Sequence, residues 1–226
     1  MNQIIINEIF GPTVQGEGVN SGKQAAFIRL GGCNLTCTWC DTPYTWDASR
    51  YDLKVENTRY DIDEVVSLLP KVPIIVISGG EPLLQYNSLE ILCNQLIARN
   101  YKIEIETNGT RQPLPPNKDI RYNVSPKLEH AGDLLSKRIT RHLVEYVNDP
   151  NATFKFVVQN TNDLKQVDDI VAAHQIDVER VWIMPEGVTS EVLDKRLTAI
   201  SQASIDRQYN VTGRLHIQMF GGVRGK

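Results

Sequence analysis

The residues of this chain that are best suited to chemistry are three cysteines in one short segment. Cys33, Cys37 and Cys40 have the spacing Cys-x3-Cys-x2-Cys, which places three sulfurs around one loop and supplies no fourth. A closed zinc site takes four protein ligands, and a 4Fe–4S cluster normally takes four cysteines, one for each iron. A cluster held by three cysteines leaves one iron open to another ligand. The spacing therefore indicates a reaction centre.

The distribution of the cysteines also indicates a compartment. Disulfide frameworks spread their cysteines along the chain, so three cysteines in one loop favour metal binding in a reducing cytoplasm. The fourth, Cys93, repeats with Leu89 and Leu96 at helical spacing and is expected to be a buried apolar residue. The segment Met1 to Phe10 has no basic n-region, so we expect no signal peptide.

Length and composition restrict the class of protein. The chain has 226 residues, which we expect to form one domain spanning residues 1–226. The formal net charge of −3 argues against charge-driven binding to nucleic acid or membranes. No apolar run approaches the roughly 18 residues that a membrane span requires.

Short apolar runs alternate with segments of helical period, which is the pattern of a parallel sheet covered by helices. The expected strands are Ala26–Leu30, Ile74–Ile77, Lys102–Glu106, Arg121–Val124, Phe154–Val158, Val181–Met184 and Leu215–Met219. The expected helices are Asp61–Leu69, Ser88–Arg99, Lys137–Val147, Asn162–His174 and Ser190–Ser204. About six such units are fewer than the eight of a closed barrel. We therefore predict a partial (β/α)6-type barrel.

Polar and glycine residues follow several of the expected strands, and the cysteine loop itself follows Leu30. The other clusters are Ser78–Pro82, Thr107–Gly109, Ser125–Lys127 and Pro185–Gly187. Each cluster alone is typical of a turn. Together they predict one site at the carboxyl ends of the strands, where parallel α/β folds place their active sites.

These motifs resemble those of the radical S-adenosylmethionine (SAM) enzymes. The cysteine spacing, Trp39 before the third cysteine and the strand end Ser78–Pro82 are typical of that superfamily. Within it, the chain resembles the 7-carboxy-7-deazaguanine synthases in four further segments: Gln15–Gly18, Cys40–Tyr44, Glu106–Gly109 and Ser125–Lys127. The resemblance extends over almost the whole chain and implies a radical lyase of queuosine and 7-deazapurine biosynthesis.

The resemblance implies two bound groups, a 4Fe–4S cluster on Cys33, Cys37 and Cys40, and SAM on its open iron. Reduction of the cluster breaks a sulfonium bond of SAM and gives a 5′-deoxyadenosyl radical. The residues implied in SAM binding are Trp39, Cys40, Asp41, Gly80, Glu106, Ser125, Pro126, Lys127, Ile183, Met184, Pro185 and Glu186.

The implied substrate is 6-carboxy-5,6,7,8-tetrahydropterin, which has a carboxylate and a hydrogen-bonding edge. The guanidinium of Arg29 suits the carboxylate because it can form two parallel hydrogen bonds. The alternative is a barrel-lining arginine paired with a structural acid. The other implied substrate contacts are Val14, Gln15, Gly16, Glu17, Ser78 and His216. His216 lies in the expected strand Leu215–Met219, where a core histidine is about as plausible as a ligand contact.

Thr42, directly after Asp41, is implied as a ligand of Mg²⁺, which prefers oxygen ligands in octahedral geometry. The alternative is that its hydroxyl caps the following turn. The implied reaction is a Mg-assisted ring contraction of the pterin to 7-carboxy-7-deazaguanine with loss of ammonia. The implied partners are an electron donor such as flavodoxin and, as a default for soluble enzymes, a second copy in a homodimer.

Two other functions remain open on the sequence. A glycyl-radical-enzyme activase is also a short radical enzyme with a three-cysteine loop. A non-enzymatic zinc module would need a fourth ligand, for which Asp41 or a distant histidine is available, and a basic surface that the net charge does not favour.

Overall fold

The computed structural model describes residues 2–226, and Met1 lies outside the described residues. All nine strands of this part of the chain belong to one sheet with the order β3-β1-β2-β4-β5-β6-β7-β8-β9. Their bounds are β1 Gln3–Val14, β2 Gln24–Leu30, β3 Thr58–Asp61, β4 Ile74–Gly79, β5 Lys102–Thr107, β6 Ile120–Val124, β7 Ala152–Val158, β8 Val181–Pro185 and β9 Asn210–Val211.

The α-helices are α1 Leu53–Glu56, α2 Ile62–Leu68, α3 Tyr86–Ala98, α4 Leu135–Arg138, α5 Leu143–Val147, α6 Asp163–His174, α7 Ser190–Ile205 and α8 Leu215–Phe220. Short 3-10 turns lie at Gly18–Asn20, Pro43–Thr45, Pro82–Gln85, Glu129–Ala131 and Val178–Arg180. No helix within residues 2–226 is long and apolar enough to cross a membrane.

Seven strands, β2 and β4 to β9, are neighbours in the sheet and pair in parallel. Strand β1 pairs antiparallel with both β2 and β3. The sheet runs from β3 at one edge to β9 at the other, so it curves without closing. This arrangement confirms the predicted partial barrel. The unclosed sheet leaves one broad cavity at the carboxyl ends of the parallel strands.

The strands form because both of their faces are covered. All seven residues of β7 are buried, and the main core combines residues of the sheet with the inward faces of α2, α3 and α6. A continuous apolar run is the expected sequence of such a strand. Lys155 is the exception, because it is a buried lysine in the middle of β7.

One predicted element is wrong. The run expected as the strand Leu215–Met219 is helix α8, whose first backbone N–H, that of Leu215, donates to the carbonyl of Gly16 at 2.9 Å. An apolar run of five residues fits a strand or a buried helical turn equally well. The docking on Gly16, which is remote in sequence, decides between the two.

Two other elements differ from prediction in extent. The single helix expected over Lys137–Val147 is divided into α4 and α5, and between them the hydroxyl of Thr140 donates to the carbonyl of Thr110 at 3.1 Å. Strand β1 was not predicted. It is twelve residues long, and two irregularities in its pairing with β2 interrupt its alternation.

Candidate active site

A cavity of about 400 Å³ opens at the carboxyl ends of the parallel strands. It brings together most of the residues that the sequence nominated: Val14, Gln15, Glu17, Arg29, Cys33, Cys37, Trp39, Cys40, Asp41, Thr42, Ser78, Gly80, Glu106, Ser125, Lys127, Met184, Pro185, Glu186 and His216. Gly16, Pro126 and Ile183 do not line it. The rim predicted from the polar clusters is therefore one site.

The cysteine loop is held in place by hydrogen bonds to three other segments. Gly32 donates its N–H to Thr45 and accepts from the N–H of Glu81, both at 2.8 Å. Farther along the loop, the N–H of Thr36 donates to Asp133 at 2.8 Å, and that of Thr38 donates to the carbonyl of Ala131 at 3.0 Å. These contacts hold the loop against the rest of the fold.

The thiols of this loop suit an iron–sulfur cluster. Cys33, Cys37 and Cys40 are unpaired, partly exposed and line the same cavity. Burial, with smaller effects of the neighbouring acid and thiols, raises the pKa of Cys33 to about 12, so bound metal is needed to keep it deprotonated. A cube places one thiolate on each of three irons. No group of three or more His, Cys, Asp or Glu side chains in residues 2–226 is placed to hold a single metal ion.

The glycines after β4 fasten this strand to the cysteine loop. A Cβ on Gly80 would lie 1.9 Å from the carbonyl oxygen of Gly32, and one on Gly79 would lie 2.2 Å from that of Leu30. The next residue, Glu81, is fully buried and accepts hydrogen bonds from the side chain of Thr107 and the N–H of Asn108. The glycine requirement at position 80 thus comes from the packing of two loops as well as from the cavity.

The residues predicted to bind SAM include an indole N–H without a partner and several polar side chains that are hydrogen-bonded to one another. The indole Nε1 of Trp39 is buried without a hydrogen-bond partner in the described part of the chain. The ammonium of Lys127 lies 5.7 Å from the centre of the Trp39 ring and donates to Ser125 at 2.8 Å. Glu106 accepts from Ser78 at 2.6 Å and from Gln15 at 3.1 Å. These residues can bind a zwitterionic nucleoside.

Arg29 also lines the cavity, and its guanidinium has one acidic partner. Its Nε donates to Glu8 at 2.7 Å, and its guanidinium lies 5.7 Å from the centre of the Phe10 ring. Among residues 2–226, Glu8 is the only hydrogen-bond partner of the Arg29 guanidinium. A structural acid therefore orients the Arg29 side chain, and the two terminal nitrogens of its guanidinium remain available for a ligand.

Glu17 lies in a buried network that the sequence analysis missed. It pairs with Lys155 from β7 and with Nε of Arg214 at 2.8 Å. Burial alone would raise the pKa of Glu17, but these two cations outweigh it and hold its pKa well below the usual value. Glu17 is therefore ionised over the whole physiological pH range. The sequence did contain a signal for Lys155. A single lysine in a run otherwise typical of a strand buried on both faces indicates a buried charge that needs an acidic partner.

Arg214 connects three walls of the cavity. Besides Glu17, its guanidinium pairs with Asp41 of the cysteine loop and donates to the carbonyl of Gly187 at 2.8 Å. No sequence signal identifies it, because it lies in a short polar segment before α8. The same analysis missed Asn123, which also lines the cavity. Residues 221–226, a glycine-rich tail whose contact with the substrate the sequence left undecided, line it as well.

His216 and Thr42 each had two interpretations in the sequence, as a structural residue or as a ligand contact. His216 lies on α8, not on a strand, and a Cβ on Gly16 would lie 1.9 Å from its Nδ1. Burial lowers the pKa of His216, which makes it a neutral group that lines the cavity. Thr42 precedes the 3-10 turn Pro43–Thr45, but its side chain forms no capping hydrogen bond and lies 3.8 Å from the sulfur of Cys40. The capping alternative therefore fails.

Comparison with known proteins agrees with this geometry. Residues 27–171 match the model of the radical SAM superfamily. The chain is 37% identical to a 7-carboxy-7-deazaguanine synthase of Pyrobaculum aerophilum, over 99% of this chain and 98% of that one. It is 30% identical to the enzyme of the same name from Bacillus cereus, over the full length of both.

Two solved structures have a similar fold. The crystal structure of QueE from Escherichia coli superposes with a TM-score of 0.72 at 26% identity and covers 95% of both chains. Streptococcus suis SuiB, solved with S-adenosylmethionine, superposes with a TM-score of 0.52 at 15% identity, over 80% of this chain and 47% of SuiB. The second likeness concerns the fold alone.

The partial barrel and the three-cysteine loop thus define a radical SAM enzyme, and the chain belongs to that superfamily. Within the superfamily it belongs to the 7-carboxy-7-deazaguanine synthase family. This membership does not favour the glycyl-radical activase or the zinc module.

Proposed function

We propose that this enzyme converts 6-carboxy-5,6,7,8-tetrahydropterin to 7-carboxy-7-deazaguanine with loss of ammonia, as a step towards queuosine or another 7-deazapurine. The observation that supports this most directly is the composition of one cavity. It joins three unpaired thiols to a cation, Arg29, and an ionised acid, Glu17. The family relationship supports the same reaction.

We assign the cluster to Cys33, Cys37 and Cys40 and the SAM site to the residues nominated from the sequence around Trp39. When bound, the reduced cluster and SAM together supply the radical that removes a hydrogen atom from the substrate. The protein residues orient the reactants. The polar face formed by Glu106, Ser125 and Lys127 receives the nucleoside and amino acid ends of SAM.

For the substrate, we assign the carboxylate to the terminal nitrogens of Arg29, because Glu8 holds the opposite side of the guanidinium. The ionised carboxylate of Glu17 accepts from the amino and ring N–H groups of the pterin. Lys155 and Arg214 keep Glu17 ionised and restrict its rotation. The hydroxyl of Thr42, which lies against the sulfur of Cys40, is the proposed protein ligand of Mg²⁺, with substrate carboxylate and water as further ligands.

Further proposals concern the state of the protein in the cell. We propose a cytoplasmic homodimer of single-domain subunits that receives electrons from a donor such as flavodoxin. The single sheet of the described residues supports the assignment of residues 1–226 to one domain. The clustered free cysteines support a reducing compartment. Light scattering of the purified protein tests the dimer.

The decisive experiment is anaerobic cluster reconstitution followed by turnover with the carboxypterin, SAM, Mg²⁺ and dithionite. We expect a deazapurine product, one ammonia per turnover, and a lower rate after Mg²⁺ is removed. Cys37→Ala should lose iron, sulfide and turnover together, whereas Cys93→Ala, which changes a buried thiol on α3, should keep all three. Absence of product from a protein with a full cluster would refute the proposed reaction, and one zinc per chain without iron would support the zinc module.

A further inference from the structure

A surface on the outer side of the cysteine loop has an unusual composition. It comprises the exposed cations Arg111, Lys137 and Arg141 together with the exposed apolar side chains of Leu135 and Val144. We call these five residues the α4–α5 surface, because four of them lie on or between those two helices. Leu135 is 60% exposed and Val144 is 48% exposed. Exposed apolar side chains on the same short helices as exposed cations are typical of protein interfaces.

The three cations of the α4–α5 surface are available to a partner. None of them forms a salt bridge within residues 2–226, whereas most arginines around the active-site cavity are paired. They border a shallow concavity of about 400 Å³ that also includes Asn34 and Thr110. In a chain with a net charge of −3, this is a local concentration of positive charge. It favours a negatively charged partner.

The surface is linked to the cluster loop by hydrogen bonds. Asn34, the residue after Cys33, donates to the hydroxyl of Thr110 at 2.8 Å, and the carbonyl of Thr110 accepts from Thr140 at 3.1 Å. Farther along the loop, the N–H of Thr36 donates to Asp133, which lies just before α4. Asn34 of the loop thus lines the concavity beside the α4–α5 surface, whereas the neighbouring Cys33 lines the substrate cavity.

We propose that the α4–α5 surface is the docking site of the acidic, one-electron carrier protein that reduces the cluster. The proposal rests on the proposed function, since only a redox cluster requires such a partner. In the step itself, the reduced carrier loses one electron and the cluster gains it, and no bond is formed or broken. An electron delivered through Asn34 and Cys33 reaches the cluster without opening the cavity in which the radical reacts. Charge steers the encounter, and the leucine and valine contribute the apolar contact.

The test compares two reductants on the same variants. Dithionite is small and needs no docking site, whereas reduced flavodoxin is an acidic carrier protein. We expect the double variant Lys137→Glu/Arg141→Glu to keep dithionite-driven turnover within about twofold. With flavodoxin at limiting concentration, its rate should fall by about tenfold or more, because charge reversal slows association.

The matched control is Lys71→Glu/Lys118→Glu, which makes the same change of charge at two exposed lysines that precede β4 and β6, at the opposite end of the strands. It should keep both rates. Added salt should slow the flavodoxin-driven rate of the unaltered enzyme and of this control, and should affect the α4–α5 variant less. Leu135→Ser tests the apolar contact separately and should also lower only the flavodoxin-driven rate.

Each outcome distinguishes the docking site from the function. Equal flavodoxin-driven rates in the two double variants would overturn the docking site and leave the function intact. A loss with both reductants would also count against it, because the residues would then act on the active site itself. If the α4–α5 variant instead loses binding of a tRNA probe at unchanged flavodoxin-driven rate, the surface is a nucleic-acid site. Failure of the unaltered enzyme with dithionite would refute the proposed function alone.

Discussion

Arg29 is restrained at one side of its guanidinium and available at the other. Glu8 accepts from its Nε, and Phe10 lies against its face, so the side chain is oriented before a ligand binds. A preoriented guanidinium loses little conformational entropy when it forms two hydrogen bonds to a carboxylate. The sequence indicated the arginine but gave no sign of Glu8, because β1 was not predicted.

We expect Arg29→Ala to retain the full iron content and to cleave SAM without substrate turnover. Its KM for the carboxypterin should rise by about 10- to 100-fold, because hydrogen bonds to a charged group contribute about 1.5–3 kcal/mol. Arg50→Ala, which removes an exposed arginine paired with Asp47, is the control and should leave KM unchanged. An iron loss in Arg29→Ala equal to that in Cys37→Ala would contradict the assigned roles.

Glu104 gives the protein a pH-dependent stability. Burial, and secondarily the charge of Glu106, raises its pKa to about 7, from 4.5 when unperturbed. Between those two values the folded chain retains a proton that the unfolded chain has released. Because the folded state binds more protons, the free energy of unfolding falls as pH rises through this window, by on the order of 3 kcal/mol in total.

Glu104→Gln should remove most of this dependence, because the amide is neutral at every pH in the window. We expect the Tm of the unaltered protein to fall between pH 5 and pH 8 more steeply than that of the variant. Glu64→Gln, at an exposed acid on α2, should follow the unaltered protein. Parallel curves for Glu104→Gln and the unaltered protein would show that Glu104 does not titrate in this range.

At the scale of elements, the parallel strands were predictable and the local docking contacts were not. The runs of β4 and β7 are mostly apolar because both of their faces are buried, and such runs are visible in a sequence. The helical state of Leu215–Phe220 depends on the carbonyl of Gly16, about two hundred residues earlier in the chain. Contacts between such distant residues leave no local pattern.

The contact between the strand end at Gly80 and the cysteine loop gives a prediction at the same scale. In Gly80→Ala the new Cβ would lie 1.9 Å from the carbonyl oxygen of Gly32, and backbone cannot move aside cheaply. We expect destabilisation by about 3 kcal/mol, a Tm lower by about 5–10 °C, and reduced iron content after reconstitution.

Gly213→Ala provides the comparison for this substitution. The nearest atom to a Cβ at Gly213 lies 4.0 Å away, and its backbone is not in the left-handed region, so Tm and iron content should stay within error. If both alanine variants bind iron normally, the strand end does not shape the loop.

At the scale of the whole molecule, Arg214 connects segments that are far apart in sequence. Its guanidinium joins Glu17 after β1, Asp41 in the cysteine loop and Gly187 after β8. The cysteines could be identified from their spacing alone, whereas Arg214 could not be identified, because its role exists only once the sheet has curved. The predictable part of the site is thus the part encoded in short motifs.

We expect Arg214→Gln to weaken the binding of the pterin and of SAM together, with both constants rising by about tenfold or more, while iron content is retained. The loss leaves Asp41 without its cation and Glu17 with only one, and breaking a buried ion pair costs about 3 kcal/mol. Arg214→Lys should restore binding only in part, because an ammonium cannot donate to three acceptors in a fixed plane.

Arg207→Gln is the control for this substitution, since it removes a more exposed arginine that is paired with Asp168 away from the cavity. It should change neither constant by more than about twofold, as expected for a partly exposed ion pair. If Arg214→Gln weakens only the binding of the pterin, the ion pair between Arg214 and Asp41 does not contribute to the binding of SAM.

The hydrogen bonds of the cysteine loop to Thr45, Glu81, Asp133 and Ala131 have a consequence for the life of the enzyme. Many small metalloproteins are unfolded until they acquire their metal, because the metal supplies the free energy of folding. Here hydrogen bonds to the rest of the fold also hold the loop. We therefore expect a molecule that loses its iron to oxygen to remain folded, so that repair requires delivery of new iron and sulfide rather than synthesis of a new chain.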